Sequence, residues 1–136
     1  MRNIILVLLA ILLMGLGFAY YQYNKPHQNI EQSEAEIIMS ASEIFAAFSN
    51  EEVAANEKFL DKLVLVSGVV QSVSQNESGV IQVVLDSGDE FGGVICELDP
   101  LTEHKRTDFE VGESIAFKGK CTGYLMDVIL VRCVEV

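Results

Sequence analysis

Tryptophan is missing from this chain, and histidine, lysine and arginine are scarce. Two histidines and nine Lys or Arg residues stand against twenty Asp or Glu residues, for a net charge of −11. Three cysteines and two histidines without paired spacing do not furnish the four ligands of a structural zinc site. No CxxC occurs, which excludes the short-loop redox motif with its lowered thiol pKa. A nucleophilic thiol needs a base beside it. His27 lies in a polar stretch, which leaves His104 as that base. The SGDE run at 87–90 lacks the alternating oxygen ligands of an EF-hand loop and reads as turn. These absences leave no catalytic residue, metal ligand or cofactor to assign, and the expectation is a protein that is not an enzyme.

The shortage of cations bears on nucleic acid as well. From residue 62 onward, Lys62, Lys105, Arg106, Lys118, Lys120 and Arg132 are outnumbered by twelve acids, a net of −6. Phosphate binding draws its affinity from Lys and Arg, and single-strand binders add stacked aromatics. Nucleic acid is therefore an unfavoured partner, with a local patch of Lys105, Lys118 and Lys120 as the feature that would reverse this.

Charge is absent altogether from residues 4–21, IILVLLAILLMGLGFAYY. Eighteen residues at 1.5 Å each make a helix of about 27 Å, close to the thickness of a bilayer core. Tyr20, Tyr21 and Tyr23 fall where aromatic rings favour the water–lipid boundary. A cleaved signal peptide is the rival reading, but bulky tyrosines stand where a peptidase takes small residues. No cysteine precedes Cys96, so a lipid-anchored N-terminus is excluded. Residues 1–23 are expected to be an uncleaved membrane helix. Arg2 and the amino terminus on one side, against Lys25 on the other, favour a barrel outside the cytoplasm, at the periplasm or cell surface.

Residues 24–39 read as a linker, since NKPHQNIEQSE is polar and without period. The folded domain is expected over 40–136. It opens with helical texture: Ser40 and Glu43 have capping-box spacing, and Ile44, Phe45 and Phe48 follow at helical intervals. Ser49 and Glu52 repeat the signal, with Asn50 and Glu51 as caps of a second short helix. After Lys62 β-branched residues take over. Five strands are expected, at 63–74, 80–86, 91–98, about 113–121 and about 127–136, with a loop or short helix between the third and fourth. The first is apolar on both faces and broken by Gly68, as in a strand bent between two sheets. A bent strand, a meander, an interruption and a closing hairpin describe a mainly β (α+β) domain, a five-stranded OB barrel preceded by one or two short helices. A small SH3-like barrel is the competing topology.

Three stretches carry a family resemblance: FSNEEVAANEKFLDKLVLVSGVV at 48–70, VICEL at 94–98, and GESIAFKGKCTGYLMDVILVRC at 112–133. Together they resemble the tRNA_anti-like family of small bacterial OB-fold domains, over roughly residue 40 to the end. The resemblance implies a secreted, lipid-anchored or membrane-tethered protein and, through the family's name, RNA. It supplies no catalytic residue.

Cys121 and Cys133 flank the last hairpin and would face each other if its turn centred on Asp127, which predicts a Cys121–Cys133 disulfide. Free buried thiols are the alternative. Cys96 is expected inside strand three as the unpaired thiol, because Glu97 should face water. Asp127 is expected to bond turn amides, and Tyr124 to cap one barrel end or make contacts. Gln82 and Ile95 on the outward phase, with Phe91 and Tyr124, are the candidate binding residues. The expected function is a membrane-tethered, extracytoplasmic interaction module for a protein, peptide or envelope glycan, and the alternative is a single-stranded nucleic-acid binder.

Overall fold

The computed structural model describes residues 1–24 and 29–136, and the side chain of every described residue except Arg2. Lys25 and His27 lie outside the described residues. Helix α1 (Arg2–Tyr23) is apolar on all sides, with mean hydropathy 2.5 over Asn3–Tyr23 and none of that stretch buried. A helix without a polar face has no amphipathic seam with which to join a small core. By length and composition it can cross a membrane.

The stretch read as a linker contributes to the folded body. Strand β1 (Ile37–Ser40) pairs in parallel with the first half of β2 (Leu63–Gln75), Ile37 opposite Val64 and Ser40 opposite Ser67. Ile30 is only 2% exposed, packed with Leu63 and Val134. Lys118 Nζ donates to the carbonyls of Ser33 at 2.7 Å and Glu31 at 3.0 Å. Polarity alone hid this, since one isoleucine and a three-residue apolar run suffice to fill a bare strand edge.

Helix α2 (Ala41–Asn50) begins as its sequence dictates. Ser40 Oγ accepts from the Glu43 amide, and the Glu43 carboxylate accepts from the Ser40 amide at 2.8 Å. Its apolar face, Ala41, Ile44, Phe45 and Phe48, is buried. Helix α3 (Glu52–Phe59) departs from expectation. Glu51 occupies its N-cap without a side-chain bond, and Ser49 Oγ instead donates back to the Ala46 carbonyl. Glu51 also ends α2 through its own amide, so one residue serves both helices and no capping box forms there.

The remaining strands are β3 (Ile81–Asp86), β4 (Gly93–Leu98), β5 (Ser114–Leu125) and β6 (Asp127–Glu135). β2 is bent as its glycine suggested. Its first half pairs antiparallel with β5, its second half with β3, and a register shift between Val70 and Ser72 marks the change. A Cβ on Gly68 would lie 3.0 Å from Ala41 Cβ and 3.2 Å from Leu85 Cβ, so the bend lets α2 close on the sheet. The strands run β2–β3–β4–β6–β5 and return to β2, with β4 and β6 parallel. This closed five-stranded order is that of an OB fold and not of an SH3-like barrel. Val64, Val66, Val83, Leu85, Phe117 and Leu130 fill the interior, each fully buried.

Residues 99–113 cross the barrel as a loop, without a helix. Arg106 holds this loop by pairing with Glu113 and, at 2.8 Å, with Glu135, while its guanidinium lies 4.9 Å from the Phe109 ring. Phe109 in turn packs edge-on to Phe117 at 5.4 Å.

Candidate binding surface

Strand alternation sends every second side chain of β3, β4 and β6 out of the barrel. The outward set includes Gln82 and Val84, Ile95 and Glu97, and Ile129. Register aligns them, with Gln82 opposite Glu97 and Val84, Ile95 and Ile129 in one row across three strands. All five are half-buried, whereas their inward neighbours Val83, Leu85, Val94, Cys96, Val128 and Leu130 are buried. Gln82 Nε2 donates to Glu97 Oε1 at 2.6 Å. The result is a short aliphatic row beside an amide–carboxylate pair, with no Lys or Arg in it.

One rim of this face is the β3–β4 turn. Asp86 and Asp89 accept from the amides of Gly88 and Phe91, so the turn organises itself. Phe91 is 81% exposed. A Cβ on the next residue, Gly92, would strike the Met126 carbonyl and come within 2.7 Å of the Phe45 ring. That contact sets Phe91 beside the β5–β6 turn, where Leu125 and Met126 are also exposed. Leu125 and Met126 escaped the sequence reading. Two large apolar side chains inside a two-strand turn were the signal that could have found them.

Asp127 differs from its expected role. Its Oδ1 accepts from the Gly93 amide at 2.7 Å, at the start of the neighbouring strand β4 and not within its own turn. The turn closes at Met126, at φ 66°, so Leu125 opposes Asp127 and the carboxylate is free to reach β4. Tyr124 is half-buried over the helices, stacked on Phe48 at 5.8 Å and edge-on to Phe45 at 5.9 Å. It caps the barrel end. The four candidate residues therefore separate: Gln82 and Ile95 share the outer face, Phe91 stands at its rim, and Tyr124 belongs to the aromatic lid.

The shift of the turn also changes the cysteines. Cys121 faces Leu130, not Cys133, because two irregularities separate the register of β5 and β6. Cys133 faces Leu98 on the other neighbour, β4. All three cysteines are free and buried, and the expected Cys121–Cys133 bond is not formed. Burial pushes the Cys121 thiol up in pKa and pushes Cys133 well up, with the neighbouring Cys96 acting in the same direction on Cys133. Such thiols are poor nucleophiles. His104 bonds the Asp99 carbonyl at 2.7 Å through Nε2, on the crossing loop. Among the described residues no group of three His, Cys, Asp or Glu side chains is arranged to hold a metal ion.

Five of the six cations from residue 62 onward have partners. Lys62 pairs with Glu36 at 3.3 Å, Lys120 with Asp61 at 3.2 Å, and Arg132 with the buried Asp99 at 3.5 Å. Arg106 bridges two glutamates, and Lys118 serves two carbonyls. Lys105 and Lys118 line a shallow cleft of about 250 Å³, but Glu31, Glu103 and Glu135 line it too. Of the three lysines of the expected phosphate patch, Lys118 and Lys120 are engaged within the chain.

The tRNA_anti-like family profile matches residues 1–135. This chain belongs to the tRNA_anti-like family. The match takes in the apolar helix and the segment behind it, both outside the stretches that first carried the resemblance. No curated protein matches the chain in sequence. Among solved structures, a proposed nucleic acid-binding lipoprotein from Klebsiella pneumoniae is 15% identical, with a TM-score of 0.55, over 82% of this chain and 99% of that one. The S. pombe Stn1–Ten1 complex gives 14% identity and a TM-score of 0.43, over 79% of this chain and 81% of the other. At 15% identity the Klebsiella likeness is one of fold, and it agrees with the strand order.

Proposed function

We propose that this protein is a membrane-tethered, extracytoplasmic OB module that binds a polypeptide or envelope glycan through the outer face of β3, β4 and β6, without catalysis. The observation that carries this reading is the charge of that face. Val84, Ile95 and Ile129 offer apolar contact, Gln82 and Glu97 offer hydrogen bonds, and the cation nearby on β6, Arg132, is paired with Asp99. Phosphate chains find nothing to neutralise them there, whereas peptide amides and sugar hydroxyls need only donors, acceptors and apolar area. Helix α1 supplies the tether.

A photo-crosslinking residue at Ile95 or Ile129 of the full-length protein in its native membrane tests the face. Adducts with protein or glycan are expected there and not from Val53, which is exposed on α3. No adduct from either face position would overturn the reading.

Binding of single-stranded nucleic acid is the second reading, favoured by the Klebsiella structure and its name. The magnitudes oppose it. Phe91 is one exposed stacking site, and stacking contributes about 1–3 kcal/mol per base, below the roughly 4 kcal/mol of even millimolar affinity. Fluorescence anisotropy with single-stranded DNA and RNA at about 0.15 M salt, one Debye length of about 8 Å, should show no saturation at micromolar protein. Saturable binding that weakens steeply with added salt would promote the second reading over the first.

A further inference from the structure

We propose that the barrel end formed by the β3–β4 and β5–β6 turns is a docking site for a basic, apolar segment of another polypeptide. This rests on the reading of the protein as a polypeptide binder, and adds a place and a charge to it. Phe91, Leu125 and Met126 are 81%, 79% and 70% exposed. Two turns distant in sequence bring them together, since Gly92 lies against the Met126 carbonyl. Large apolar side chains scattered singly over a surface are ordinary, but three gathered on one tip mark a contact surface.

Met126 carries the argument furthest. It stands at the apex of its turn, between Leu125 and the opposing Asp127, with φ 66°. Glycine takes that conformation without a Cβ penalty, and asparagine takes it more readily than most residues. Methionine gains nothing inside the barrel in exchange, because its side chain is exposed and lies outside the hydrophobic core. Backbone strain kept for an exposed side chain points to a use outside the fold. A flexible thioether suits the irregular apolar surface of a partner.

The charge around the tip selects the occupant. Asp86, Asp89 and Glu90 rim it from the β3–β4 turn, all exposed. Asp86 and Asp89 each accept an amide of their own turn, which does not cancel their charge. The ion pairs of Lys62, Arg106, Lys120 and Arg132 are made with other carboxylates. Lys or Arg on a partner would complement this rim. A second copy would set acid against acid, and an anionic lipid surface meets the same repulsion. The tether also joins the barrel elsewhere. Ile30, the first core residue after α1, packs with Val134 at the far end of β6, roughly 25 Å along the strand from Met126.

The chain has no tryptophan, which makes a local test available. Phe91→Trp puts one reporter on the tip of the full-length protein, held in phosphatidylcholine nanodiscs. The probes are two tryptophan-free amphipathic peptides, one of Leu and Lys, the other of Leu and Glu. The Leu–Lys peptide should shift the emission to the blue and saturate at micromolar concentration, and the Leu–Glu peptide should not. Adding Met126→Gly should weaken Leu–Lys binding at least about tenfold without lowering the urea midpoint, because glycine fits the turn. Adding Asp89→Asn and Glu90→Gln should weaken it as well and reduce its salt dependence. An equal response to both peptides, or no saturation, would overturn the site. So would Met126→Gly binding as before, or losing affinity only together with its urea midpoint. Quenching of the reporter by brominated lipid before peptide is added would give the tip to the bilayer and overturn the proposal too. Crosslinking from Ile95 and Ile129 tests the outer face separately. No adduct there, with tip binding intact, overturns that face and leaves the tip standing.

Discussion

Single atoms set much of this barrel's tolerance. Gly119 has no Cβ because the Cys133 sulfur occupies that space, and the Val131 carbonyl is only 3.2 Å from where a Cβ would sit. Gly119→Ala should therefore destabilise the reduced protein by about 1–3 kcal/mol through overpacking. Cys133→Ala in the same chain removes the sulfur, so the double variant should lose clearly less than the two single losses added together. Urea unfolding under reducing conditions measures all three, and strict additivity would show that the two residues do not compete for space. Asp127 is a second such position. Asp127→Ala leaves the buried Gly93 amide without its acceptor, an expected loss of about 1.5–3 kcal/mol, and Asp127→Asn should retain part of it. An equal loss in both variants would mean that the carboxylate charge, and not the hydrogen bond, holds the two strands.

Elements form here for unequal local reasons. α2 carries its own start signal, and Ser40→Ala should cost about 1 kcal/mol in urea unfolding by removing the acceptor for the Glu43 amide. α3 has no side-chain cap, and Phe59 packed 5.7 Å from Phe48 holds it instead. Ser49→Ala and Asn50→Ala should accordingly change stability by less than about 0.5 kcal/mol. A loss near that of Ser40→Ala would restore the capping role expected from the sequence. β2 is long because it serves two partners, and its bend is where Gly68 lets α2 approach. β1 exists only because the first half of β2 has an edge to fill.

For the whole molecule, acid is the informative variable. The Arg106 side-chain bonds hold the Glu113 carboxyl below its ordinary 4.5, and the Ser40 amide does the same for Glu43. A depressed folded pKa means that the unfolded chain binds protons first as pH falls. These contributions are full above the unfolded value and are lost as pH drops through the folded one. Stability measured by urea unfolding should thus be level from about pH 7 to 5 and decline below about pH 4.5. Arg106→Gln should flatten part of that decline, since Glu113 loses the cation that lowers its pKa; an unchanged acid profile would remove Arg106 from this account. Membrane attachment belongs to this scale too. With α1 uncleaved, the protein should resist alkaline carbonate extraction and keep its own amino terminus. A mature chain starting near residue 20 would exclude the tether, and full protection from protease in intact spheroplasts would reverse the sidedness.

By itself the sequence determined what depends on neighbours along the chain. The uncharged run made α1, the Ser40–Glu43 spacing made the start of α2, and alternation with glycine placed five strands and the bend in β2. These are short-range effects, in which side-chain period and local hydrogen bonds act within a few residues. Alternation also assigned Gln82 and Ile95 to the outer face and Cys96 to the inner one. The tertiary structure decided what depends on register. One residue's shift of the last turn, from Asp127 to Met126, and the irregularities beside it moved Cys133 out of register with Cys121 and set it opposite Leu98. The same shift turned Asp127 toward Gly93. Closure decided the rest: it gave Ile30 and β1 a surface to cover, and it brought Lys62, Lys118, Lys120 and Arg132 to partners 20 or more residues away. Those pairings, made between distant segments, engage four of the six cations that lie scattered along the sequence.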